Sequence, residues 1–78
     1  MDKKQLEAKV KKMSKTISIG DSIRLTHNGK ELARYQCIDK SVDTKTPIDW
    51  LRGCFVFEIG MKGIDVKEVD IELEPKQS

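Results

Sequence analysis

One histidine, two cysteines, two prolines and four aromatic side chains are all that 78 residues contain of those types, and each scarcity excludes something. A lone His27 with Cys37 and Cys54 leaves too few nitrogen and sulfur ligands for a structural zinc site. The two cysteines lack redox Cys-x-x-Cys spacing and are too few for a disulfide framework, so they read as free buried thiols in a reducing compartment. No apolar run approaches the roughly 18 residues that a spanning helix needs, and the first residues alternate Lys with Glu and Leu where a secretion signal would be apolar. The expected location is therefore the cytoplasm, with no membrane contact. A Cys–His nucleophile would require His27, beside a turn, and a strand cysteine to point into one pocket; a structural thiol is the simpler reading. No phosphate-cradling glycine loop and no paired carboxylate site is present. A chain this short buries only about 60–65% of its unfolded surface, which argues for one domain without a deep cavity. The expectation is a non-enzymatic protein with no cofactor and no small-molecule substrate.

What the chain has in quantity is charge, unevenly placed. Residues 1–30 carry eight Lys/Arg against three acids, residues 31–52 four against four, and residues 53–78 three against six. A +2 total thus hides a gradient from +5 to −3. The asymmetry suits an anion-binding arm, and it equally suits a basic helix lying against an acidic strand of its own or a sister chain.

The periodicity of the first segment is helical. Leu6, Val10, Met13 and Ile17 recur at i, i+4, i+7 and i+11 while Lys3, Lys4, Lys9, Lys11 and Lys12 occupy the other faces, giving one narrow apolar stripe over residues 1–16 that must dock on something. After Gly20 and Asp21 the period changes to two. Ile23, Leu25 and His27 share one face, and Asn28-Gly29 is the strongest short hairpin signal. With a two-residue loop, Leu25 would face Leu32 and the second strand would run from Glu31 toward Asp39. Arg34 and Gln36 then fall on the apolar face, a conflict that a bulge or partial exposure would resolve.

Residues 41–45 read as loop, and Thr46, Pro47 and Asp49 as the cap, first position and capping-box acid of a short helix stopped by Gly53. Cys54 to Ile59 alternates like a central strand, with Phe55, Phe57 and Ile59 facing a core shared with Leu25, Leu32, Val69 and Ile71. Ile64 and Val66 are out of phase with Val69, Ile71 and Leu73, which asks for a bulge near Lys67 and Glu68. Glu68, Asp70, Glu72 and Glu74 would guard the outer face of a last, edge strand. The organisation expected is a helix over 1–16, a β domain over 17–75 and a tail over 76–78. Its fold class is mainly β with an N-terminal α-helix (α+β), as a small antiparallel sheet or a partly open barrel of four to five strands. In outline residues 17–75 are similar to SH3-like small barrels, an architectural likeness that implies no particular ligand.

The run Ile59-Gly60-Met61-Lys62-Gly63-Ile64-Asp65-Val66-Lys67-Glu68-Val69 resembles the heart of the KH family, in which a Gly-x-x-Gly loop between two helices clamps about four nucleotides. By that resemblance Gly60, Met61, Lys62 and Gly63 would contact phosphate. It covers eleven of the 78 residues, and the strand-like residues 54–57 stand where that family has a helix.

Two functions follow as expectations. The first is a protein-binding module of adaptor or inhibitor type, self-association included, whose interface would draw on Leu6, Val10, Met13, Tyr35 and Trp50. The alternative is a nucleic-acid binder placing Lys4, Lys9, Lys12, Arg24 and Lys62 against phosphates. They are told apart by whether those cations share one surface away from the acids of the final strand.

Overall fold

A computed structural model describes residues 1–38 and 45–76. The first helix, α1 (Lys3–Thr16), lies within the residues 1–16 expected to be helical. Asp2 caps it through a reciprocal box: the Gln5 amide donates to Asp2 Oδ1 at 2.8 Å and the Asp2 amide donates to Gln5 Oε1 at 3.0 Å, which satisfies two N-terminal amide donors. Strands β1 (Ser22–His27) and β2 (Lys30–Gln36) follow, joined by Asn28 and Gly29 at φ 51° and 84°. Positive φ at both positions matches a type I′ turn, whose twist fits a hairpin.

The register differs from the expectation by one bulge. Beyond the flanking pair of His27 and Lys30, Thr26 faces Glu31 while Leu25 faces Ala33, so Leu32 is the extra residue. This removes the conflict in the sequence: Tyr35 joins the face of Ile23 and Leu25, and Arg34 and Gln36 turn outward. Strand β3 (Val69–Glu74) pairs antiparallel on the other side of β1, giving the order β2-β1-β3.

The largest departure from the sequence reading lies in residues 45–62. Helix α2 (Lys45–Cys54) does not stop at Gly53; it runs on into a wider π turn over Phe55–Gly60 and a final helical stretch at 61–62. Helix α2 begins one residue before the expected cap Thr46, with Pro47 in its first turn, where its missing N–H costs nothing. Among the described residues the sheet therefore has three strands and is open. The four to five strands and SH3-like closure expected from the sequence are not found, because the apolar run at 54–59 forms helix instead of strand. Nor does a bulge join the two phases near Lys67. A 3-10 turn over Val66–Glu68, capped by Asp65, delivers the chain into β3. Residues 41–44 of the expected loop and 77–78 of the expected tail lie outside the described residues.

The result is a small α+β fold in two layers. Both helices cover one face of the sheet, and Leu6, Val10, Ile23, Leu25, Leu51 and Ile71 are fully buried between the layers. The opposite face is polar. There Arg24 and Arg34 stand directly across from each other, a repulsive placement, and Glu31 and Glu74 bridge them at 2.8–3.5 Å while Glu72 adds a contact to Arg24 at 3.2 Å.

Candidate functional site

The π turn sets what α2 shows to solvent. Ile48, Leu51, Cys54 and Ile59 form its buried side. The last step of five residues fits a turn in which the Met61 amide donates to the Val56 carbonyl, five positions back. Gly60 is what allows that turn, because a Cβ there would lie 2.9 Å from the Phe55 carbonyl oxygen. Gly63, at φ 66°, closes the helix: the Ile64 amide donates to the Ile59 carbonyl at 3.0 Å and that of Gly63 to Gly60 at 3.3 Å, the pattern of a Schellman cap. Both glycines of the KH-like loop thus have backbone tasks of their own. A helix does precede that loop, but a three-residue 3-10 turn and a strand follow it.

Widening the helix here leaves Val56, Phe57 and Met61 on the surface, at 58%, 66% and 76% exposure. Glu58 and Lys62, each next in sequence to one of these side chains, pair at 3.0 Å one turn apart. Lys3 of α1 sits 5.5 Å above the half-buried Phe55 ring, tying the start of α1 to the start of the turn. Since π turns concentrate at functional positions, and since large apolar side chains left uncovered beside one another mark interaction surfaces, this face is the candidate site. The burial of Phe57 on a strand face, expected from the alternating pattern, is overturned. Phe57→Ala is expected to change the free energy of unfolding by less than about 0.5 kcal/mol, as at other exposed positions, and urea denaturation will show it.

The residues expected at a protein interface are placed elsewhere. Leu6 and Val10 have no exposed surface, and Met13 is half-buried against the same core. Tyr35 and Trp50 are half-buried and pack against each other as tilted rings, with centroids 5.9 Å apart and planes at 47°. The residues expected to meet phosphate are divided. Lys9 pairs with Asp70 at 3.0 Å, Arg24 belongs to the network on the polar face of the sheet, and Lys62 is held by Glu58, whereas Lys4 and Lys12 are exposed and have no carboxylate partner among the described residues. Sequence reasoning missed Val56, Phe57 and Met61 as a surface. A helical signal was present, since Ile48, Leu51, Phe55 and Ile59 recur at i, i+3, i+7 and i+11.

Titratable groups are tied into the fold. Asp21 accepts from the amides of Lys76 and Ser18 at 2.9 and 3.0 Å, and these bonds hold its carboxyl below the usual range, Lys76 contributing most. Arg34 and then Arg24 lower Glu31, and Lys9 lowers Asp70. A lowered folded value means that each carboxylate favours folding above the ordinary carboxylate range and loses that contribution as the pH falls through its own value. His27 Nε2 lies 2.8 Å from Glu68. Cys37 and Cys54 are both buried. Burial, with a smaller push from Glu58, raises Cys54 to about 11, so its thiolate is scarce at neutral pH. Cys54 is therefore expected to react with a disulfide reagent at pH 8 only as fast as the protein opens, its rate rising steeply in denaturant; a burst of native-state labelling would contradict this burial.

Among the described residues no three His, Cys, Asp or Glu side chains gather closely enough to hold a metal ion. An open, polar cleft of about 290 Å³ lies between Gly20, Ser22, Arg34, Gln36 and the stretch Glu74, Pro75 and Lys76. Two of its three charged side chains, Arg34 and Glu74, are already paired with each other at 2.8 Å. No described helix is long and apolar enough to cross a membrane. No family model, curated protein or solved structure matches the chain.

Proposed function

We propose that the chain is a small non-enzymatic protein-binding module whose docking surface is the Val56, Phe57 and Met61 face of the π turn, and that its occupant is a second copy of the same chain. The exposure of Phe57 and Met61 one turn apart, 66% and 76%, carries this reading. The flanking charges favour a like partner. A two-fold axis passing between Phe57 and Met61 would lay the helices antiparallel, Phe57 against Met61 of the second copy and Glu58 near Lys62 of the second copy, so the surface is complementary to itself in charge. The buried, free thiol of Cys54 suits a reducing cytoplasm.

Three side chains fall short of the roughly 800 Å² per partner of a standard interface, so the dimer should be weak, with a dissociation constant on the order of 10 µM. Sedimentation equilibrium of the whole chain is expected to show a monomer–dimer equilibrium in that range. Phe57→Ala is expected to weaken it at least tenfold, the loss of a central apolar anchor, while leaving unfolding unchanged. A wild-type chain that stays monomeric to about 1 mM, or a variant that dimerises as well as wild type, would overturn the proposal.

A further inference from the structure

The solvent side of α1 carries a second surface. At 3.6 residues per turn, Lys4, Lys11, Lys12 and Lys15 fall within an arc of about 100°, opposite the side that buries Leu6 and Val10. All four are exposed, and Ala8, exposed among them, adds no charge. The other charged residues of α1 flank the stripe and are engaged: Lys9 with Asp70 at 3.0 Å, Glu7 with Arg52 at 3.4 Å, and Lys3 over the Phe55 ring. The four stripe lysines have no carboxylate partner among the described residues. Acids Glu31, Glu72 and Glu74 lie across the molecule, on the sheet face that the helices do not cover, where they hold Arg24 and Arg34. Four cations thus gather on one helix face with no described carboxylate paired to any of them, whereas Lys9, Arg24, Arg34, Arg52 and Lys62 each have one.

We propose that the stripe of Lys4, Lys11, Lys12 and Lys15 binds along the phosphate backbone of a nucleic-acid duplex without reading its sequence. A run of about 16 Å along the helix axis presents only point charges, which position a protein on phosphates but do not select bases. Gln5, the nearest side chain with an amide, is occupied by the Asp2 cap. No aromatic residue stands on α1 to stack unpaired bases, which favours a duplex over a single strand. An anionic membrane fits less well, since the apolar half of α1 is sealed in the core and cannot enter the acyl boundary as an interfacial helix does.

The test is fluorescence anisotropy of the whole chain against a labelled duplex of about 20 base pairs, an equally long single strand, and phosphatidylserine vesicles, between about 25 and 200 mM salt. Wild type is expected to bind the duplex at low salt, with a dissociation constant of about 10⁻⁴–10⁻⁶ M and a log–log salt slope of about −3 to −4, as for four released counterions. Replacing all four lysines by Gln should weaken duplex binding at least tenfold and flatten the slope, with the melting temperature unchanged or raised because like charges are removed. The double variant Lys30→Gln/Lys67→Gln, off the stripe, should bind as wild type does, and so should Phe57→Ala. Absence of duplex binding by wild type, retention of it by the fourfold variant, tighter binding to the single strand, or binding to vesicles alone would each overturn the proposal.

Discussion

Leu25→Ala is expected to destabilise the domain by about 3–5 kcal/mol, the range for a leucine removed from a packed core. Leu25 has no exposed surface and lies on the central strand, facing Ala33 on one side and Ile71 on the other. Neither neighbour can fill the space, because both are backbone-fixed in the sheet and Ala33 is too small. A chain of 78 residues has a stability of only about 4–12 kcal/mol, so the variant should be largely unfolded or melt far below wild type. Circular dichroism through a urea titration gives the value directly. A loss under about 1 kcal/mol would mean that the helices do not cover the sheet as described, since exposed apolar truncations cost about that or less.

The second large effect carries its information in its sign. In an ordinary helix Gly→Ala stabilises by about 1 kcal/mol, because glycine has the larger conformational entropy to lose. At Gly60 the outcome should be reversed. The added Cβ would stand 2.9 Å from the Phe55 carbonyl oxygen, a backbone atom held within the π turn. Overpacking of that kind costs about 1–3 kcal/mol, so Gly60→Ala should be destabilising on balance. The alternative for the variant is to tighten the turn to ordinary α geometry, which would rotate Met61 and Lys62 relative to Ile59 and loosen the Gly63 cap. Gly53, inside α2 with nothing within 4 Å of its added Cβ, is the matched control, and Gly53→Ala should stabilise. If Gly60→Ala stabilised as much as Gly53→Ala, the π turn would not be the reason for the glycine.

Several elements were legible in the sequence because the signal was local. The stripe of Leu6, Val10 and Met13 defines α1, and Asn28-Gly29 defines its turn through φ alone. Even the bulge in β2 was foreshadowed by Arg34 and Gln36 falling on the wrong side of an unbroken ladder. Residues 54–59 were not legible in the same way. Every second and every third or fourth residue there is apolar, so strand and helix patterns both fit, and Gly53 looked like a stop when it is only a helix interior position with room to spare. The exposure of Phe57 followed from that ambiguity, since a residue placed on the buried side of a strand lies on the open side of a widened helix.

The sequence by itself determined the existence of α1, the hairpin and the phase of Val69, Ile71 and Leu73, because each depends on residues within a few positions of one another, and its composition alone leaves too few His and Cys for a zinc scaffold. Tertiary structure decided two things. It made residues 45–62 a helix, since a three-stranded sheet already lined by Ile23, Leu25, Val69 and Ile71 needs a lid over that face more than a fourth strand beside it. It also decided which cations are free. Lys9 is neutralised by Asp70, 61 positions away, and Glu7 by Arg52, 45 positions away. Pairing across such distances is invisible to any local pattern, and only the folded chain shows that Lys4, Lys11, Lys12 and Lys15 have no carboxylate partner among the described residues, because Coulomb attraction between charges depends on their separation in space and not along the sequence.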